Sequence, residues 1–192
     1  MALVLNGSND TITGLQINSA NIVNGSIASE DLATGVGGKV LQVVTATKTN
    51  TLSETLASGA ISSAITGLTV SITPSSSSNK ILLLCTLTIS SYDMSFLFYK
   101  DSSVISGATG NADGTKKRVF GEQYLGSGYT MFSSTFQYVD TAGGTSAITY
   151  GPRVQNTTSS SRTYYVNVKA TEGVSNLNIV GASTFTAVEV AA

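Results

Sequence analysis

The residues that catalytic chemistry would need are few and far apart. The 192-residue chain has no histidine, which removes the commonest general base, the usual serine and cysteine triads, and most zinc and iron sites. Its single cysteine, Cys85, ends the apolar run 81–85 (ILLLC). A buried thiol is therefore expected there, not a nucleophile, and no internal disulfide can form. The eleven acids are scattered singly, mostly near turns, apart from the adjacent Glu30 and Asp31. Glycosidase chemistry instead wants two carboxyls set a few ångströms apart. The fragment NADG (111–114) resembles part of a calcium loop, but the acids that would complete one are missing. The stretch GEQYLGSGY (121–129) contains GxxxxGSG without the GK[ST] ending of a phosphate loop, and it reads as a turn between strands. Neither a metal, nor a cofactor, nor a catalytic residue is expected.

Binding chemistry has more to work with. Lys116, Lys117 and Arg118 form the only basic cluster, and they share a long Gly-rich loop (107–118) with Asp113. Such a cluster reads either as a solvated loop tip or as a contact for an anionic partner such as an acidic glycan. Tyr124 and Tyr129 flank LGSG, and Tyr150 precedes Gly151 and Pro152. From such positions aromatic rings can stack on sugars, or they can simply close the core at strand ends.

Composition sets the frame for these residues. Hydrophobic residues make up 41% of the chain and charged residues only 11%, against about 25% charged in an average globular protein. Serine and threonine, at roughly a quarter of the residues, replace charge as the solubilising surface. With many β-branched residues, this composition points to an all-β protein. A net charge of −1 leaves no basic stripe to neutralise a run of phosphates, so nucleic acid is not an expected partner. No apolar run reaches the 18 residues of a membrane-spanning helix, so no membrane span is expected. The start MALVLNGSND lacks the basic and apolar regions of a secretory signal, and synthesis in a cytoplasm is expected.

Two textures divide the chain. Up to residue 38, aliphatic residues fall on a five-residue beat, Ile12, Ile17, Ile22, Ile27 and Leu32, separated mostly by small and polar residues. That period is neither helical nor a simple strand alternation. Short fixed periods belong to solenoid-like β-structure, and so few units need neighbours to complete a core. The expectation is a thin, intertwined β-stem shared by three copies, with these five residues along its axis. Gly35, Gly37 and Gly38 end the beat, and residues 39–192 form a second domain.

Its expected strands are 39–47, 67–73, 80–90, 94–100, 129–139, 162–170 and 183–190, separated by Ser-, Gly- and Asn-rich turns. Seven such runs without a convincing helix give a jelly-roll-like β-sandwich. The segment 52–65 is the one helix candidate, of at most one turn. Within 129–139, alternation places Phe132, Ser134, Phe136 and Tyr138 on one face and Met131, Ser133, Thr135, Gln137 and Val139 on the other. Low surface charge leaves little to oppose self-association, and a homotrimer fits stem and head together.

The opening MALVLNGSNDTITGL, the pentad-like IVNGSIASEDLATG, the following GKVLQVV, the segment GLTVSITPSSSSNKILL and the closing STFTAVEVA resemble short tail-fibre-like structural proteins of tailed bacteriophages, particularly marine and cyanobacterial ones. The strand content of the head is similar to that of trimeric jelly rolls of the tumour-necrosis-factor and complement-C1q type. The resemblance implies a virion protein, homotrimeric, attached to other virion proteins through residues 1–38, with a head that adheres to a host-surface glycan or protein. Asp113, Lys116, Lys117, Arg118, Tyr124 and Tyr129 would be its receptor contacts. A capsid decoration or head-fibre protein would need the same parts. A polysaccharide depolymerase is disfavoured by the missing histidine and unpaired acids, and a bacterial surface adhesin by the missing export signal.

Overall fold

The computed structural model describes residues 39–170 and 179–192, with only the backbone described for 125–129. The expected stem axis (Ile12, Ile17, Ile22, Ile27 and Leu32) lies outside the described residues. Nine strands run in chain order: β1 (Val40–Lys48), β2 (Leu52–Leu56), β3 (Val70–Ile72), β4 (Lys80–Lys100), β5 (Ser103–Val104), β6 (Gly121–Thr141), β7 (Ile148–Asn156), β8 (Arg162–Val166) and β9 (Ser183–Val190). One short 3-10 turn, Ser106–Ala108, is the sole helical element among the described residues. The protein is all-β, and its strands make one nearly closed, sandwich-like sheet.

The architecture depends on two 21-residue strands, β4 and β6, paired antiparallel along their length. In the first half of β4 the odd positions Ile81, Leu83, Cys85, Leu87 and Ile89 are buried, and in the second half the even positions Met94, Phe96 and Phe98 join the same core. A change of phase by one residue requires a bulge, because side chains alternate strictly along a strand. The register breaks there: Ile89 pairs with Phe132, Ser91 with Ser127 and Asp93 with Tyr124. Between the first two pairs β4 advances two residues (89 to 91) while β6 covers five (127 to 132). Both strands bend there, so the second half of each packs back on the first. The Phe98 ring consequently lies 6.3 Å from Phe185, which sits on a neighbour of the first half. Phe96 lies 4.4 Å from Phe136, whose strand partner is Cys85.

Each half then acquires its own neighbours. The first half of β4 pairs with β9, and β9 with β1; the second half pairs with β7, and β7 with β3. The β2–β8 pair meets β4 beside the bend, at Ile89 and Ser90. The two layers close on each other where Gln42 of β1 donates its amide to the Thr73 carbonyl at 2.7 Å.

Four sequence expectations require correction. Segments 80–90 and 94–100 are halves of one strand, because Ser90, Ser91, Tyr92 and Asp93 keep the backbone in the ladder instead of making a turn. Residues 121–129, read as a turn, are the first part of β6. Residues 52–56 form β2 and not a helical turn, since β8 offers them a full antiparallel partner. The expected alternation holds for Ser134, Phe136 and Tyr138 but fails at Phe132, which is 46% exposed at the bend. Strand β7 was not anticipated, because Pro152 lies within it. Proline is tolerated there because β3 has already ended, pairing only up to Tyr150. Gly151 is required next to it, since a Cβ would come within 2.9 Å of Thr69 Cγ2.

Buried polar groups fasten loops to this frame. Asn156, fully buried, donates its amide to the carbonyls of Leu56, Ala57 and Ser160 and accepts from Thr158. Glu189 on β9 is 1% exposed. Its carboxylate accepts hydrogen bonds from the Asn79 amide (2.6 Å), the Gln42 amide (2.5 Å), and the backbone N–H (2.7 Å) and hydroxyl (2.9 Å) of Ser75. Burial by itself pushes this carboxyl up. The Asn79, Gln42 and Ser75 donors outweigh burial and hold it at about 2, below its ordinary 4.5. The stabilisation is present above about pH 4.5 and is lost as pH falls toward about 2. Urea unfolding of the wild type and Glu189→Gln at several pH values should show this loss in the wild type alone. Parallel curves down to pH 2 would refute the assignment.

Candidate functional site

The basic loop is held at both ends by the core. Ile105 and Ala108 are buried on one side, and on the other the Phe120 N–H donates to the Phe96 carbonyl at 2.8 Å. The Phe120 ring meets Phe98 edge-on at 5.0 Å. Between these anchors the loop is pinched: the Gly110 N–H donates to the Val119 carbonyl (3.3 Å), and Arg118 Nε donates to the Gly110 carbonyl (2.7 Å). Residues 111–118 are all exposed. Lys116 Nζ pairs with the Asp113 carboxylate, and the Lys117 amine lies close to Gly59. The three cations thus have different tasks. Arg118 braces the loop, Lys116 pairs with Asp113 in solvent, and Lys117 offers its ammonium next to the turn after β2.

The structure does not bring the two sets of candidates together. Tyr124 is 77% exposed, but it stands in mid-strand on β6 opposite Asp93, not on a hairpin. Among the described residues, no hydrogen bond, ion pair or ring contact joins it to the basic loop. Tyr129 also belongs to β6, and its side chain is not among those described. Tyr150 is fully buried, and its hydroxyl donates to Asp140 at 2.8 Å, with Lys100 on the same carboxylate at 2.9 Å. Burial, and then that hydrogen bond, push its hydroxyl above the ordinary tyrosine range. It cannot serve as a sugar platform. Cys85 is likewise buried, with its thiol pushed up to about 12 by desolvation, as the apolar run implied.

A second polar site was not anticipated. On the outward side of β7 and the second half of β4, the Arg153 guanidinium lies 4.0 Å over the Tyr99 ring, and its Nη1 reaches the Ser62 carbonyl at 3.4 Å. Asp101 follows in the turn between β4 and β5 with φ of 54°, a backbone conformation that aspartate tolerates. It is fixed by exchanging two hydrogen bonds with Thr149: its N–H donates to the Thr149 carbonyl (2.7 Å), and its carboxylate accepts the Thr149 N–H (3.0 Å). Ala64, Thr69, Tyr99, Asp101, Thr149 and Arg153 line a shallow open depression here. It places a cation, an anion and an aromatic ring around a space of about 40 Å3, room for water-sized groups only. Arg153 and Asp101 escape sequence reading because they are 52 residues apart and meet only through the pairing of β4 with β7.

Neither feature supplies a nucleophile next to a base. Among the described residues, no group of three or more acidic, cysteine or histidine side chains is placed to hold a metal ion, and no helix is long and apolar enough to cross a membrane. Neither a protein-family model nor a curated protein matches the sequence.

Because the tip of the loop is exposed and braced only locally, the triple variant Lys116→Ala, Lys117→Ala, Arg118→Ala should shift unfolding stability by less than about 1 kcal/mol. Denaturant titration checks this. A larger loss would make the loop part of the folding unit.

Proposed function

We propose that the protein is a non-enzymatic structural component of a tailed-phage virion, a homotrimer whose N-terminal segment docks on the particle and whose jelly-roll-like head adheres to the host surface. Residues 1–38 carry the docking and the stem, and residues 39–192 carry the head. The observation that supports adhesion most is the basic loop, solvated at 111–118 yet anchored at both ends in a rigid sandwich. Loops presented in this way on a fixed scaffold are the usual place for recognition.

Electron microscopy of source virions labelled with an antibody raised against residues 39–192 tests the reading directly. Label at the tail is the expected result. Label spread over the capsid would replace adhesion by decoration of the shell, and bare particles would remove the protein from the virion. In an adsorption assay, the triple variant of Lys116, Lys117 and Arg118 should bind host cells at least several-fold less than the wild type. Undiminished adsorption would discard the loop as the contact.

A further inference from the structure

The two outward faces of the sandwich differ sharply in chemistry. One carries Arg153, Asp101 and Glu122. The other, made by β1, β9, the first half of β4 and the second half of β6, is almost without charge. Its registered rows can be read across the four strands: Val43, Val188, Leu82, Val139; then Thr45, Thr186, Leu84, Gln137; then Thr47, Thr184, Thr86, Thr135. Its charged side chains stand at the margin: Lys39 just before β1, and Lys80, which bonds to the Thr141 hydroxyl at 2.8 Å. Val43 and Val139 are 59% and 53% exposed, and Val40 and Leu41 extend the aliphatic end. The side chains beneath, Val44 and Ala46, pack on the core, so these outward aliphatics are surplus to it.

Two further features fit this face for burial. Its hydroxyls bond to one another across strands, Thr45 to Thr186 (3.0 Å), Thr86 to Thr135 (3.1 Å) and Thr88 to Ser133 (2.7 Å). Hydroxyls already paired lose less when water is removed, and they leave their methyl groups outward. Along one side the face ends in β6, which among the described residues pairs only with β4 and so presents an edge. From Gln123 to Val139 that strand contains no charged residue and no proline, the devices that usually protect an exposed edge. Only the bulge at the bend interrupts it.

We infer that this face and its β6 margin are covered by a second copy of the same chain. Two observations fit a copy. In a cyclic oligomer this face meets a surface of the next copy, and an uncharged face does so without repulsion. The face measures about 19 Å across four strands and about 27 Å along eight residue steps. That is about 500 Å2 in projection, comparable with an interface burying about 800 Å2 of accessible surface per partner. The inference deepens the trimer reading by giving the head its own contact, and its test uses purified protein, independent of where label falls on virions.

Thr45→Cys in the full chain gives a single reactive thiol, since Cys85 is buried with its thiol pushed up to about 12. A benzophenone maleimide is attached there and irradiated. The expected product is a covalent dimer or trimer on a denaturing gel, with crosslinks mapping to 40–48, 80–88, 133–141 or 184–190 of another copy. The same probe at Thr55→Cys, an exposed position on β2, should give none. Adding Val43→Glu and Val139→Glu should lower the yield at least five-fold with the unfolding transition retained. Monomer alone after irradiation, or links confined to residues 1–38, would overturn the inference. Sedimentation of the unlabelled wild type gives a second readout: a monomer at micromolar concentration would also overturn it.

Discussion

The bend shared by β4 and β6 is the constraint from which the rest of the head follows. A 21-residue strand left straight would span about 70 Å and bury nothing on itself. Kinked at 90–93, β4 becomes the central strand of both layers, and its own two halves supply the facing surfaces of the core. The slip of one residue turns the odd positions of the first half and the even positions of the second toward the same interior. β6 accommodates the bend with extra residues opposite it, where Gly126, Ser127 and Gly128 stand. The aromatic cluster of Phe96, Phe98, Phe120, Phe136, Tyr138 and Phe185 exists only because of that fold-back.

Once the bend is made, the two layers diverge in character. One layer turns an uncharged surface of valine, leucine and threonine outward, while the other turns arginine, aspartate and tyrosine outward. Low overall charge therefore does not mean a uniform surface. Charged groups gather on the loop 111–118 and beside β7, others such as Lys39, Lys48, Glu54, Lys80 and Arg162 are spread over and beside the remaining strands, and two sets form inner anchors. Glu189 is one anchor. It joins β9 to β1 and to the turn before β4 through neutral donors alone, with no cation among its described partners. The pair Lys100–Asp140 is the other, and it ties the end of β4 to the end of β6 while Tyr150 reaches it from β7.

Division of labour between the faces gives the proposed virion role a physical form. The basic loop and the face that suits another copy lie on different parts of the head.

The all-β class was legible in the sequence, since β-branched alternation and Ser- and Gly-rich turns act locally and report strands wherever they fall. β9 was legible to its last residue, because STFTAVEV alternates cleanly between inward and outward positions. The buried state of Cys85 and the exposure of Asp113, Lys116, Lys117 and Arg118 followed from the same local signals. The sequence could not reveal that two expected strands were halves of β4, because Ser-Ser-Tyr-Asp breaks the pattern equally for a turn and for a bulge. Only pairing with β6 keeps that segment extended. Tyr150 and Tyr124 look alike as residues beside glycine or small neighbours, yet one is sealed under Asp140 and the other stands in solvent. Arg153 and Asp101 carry no motif at all. Their meeting, like the rows of valine and threonine across four strands, is decided by long-range register, which depends on partners far away in the chain and not on the residues beside them.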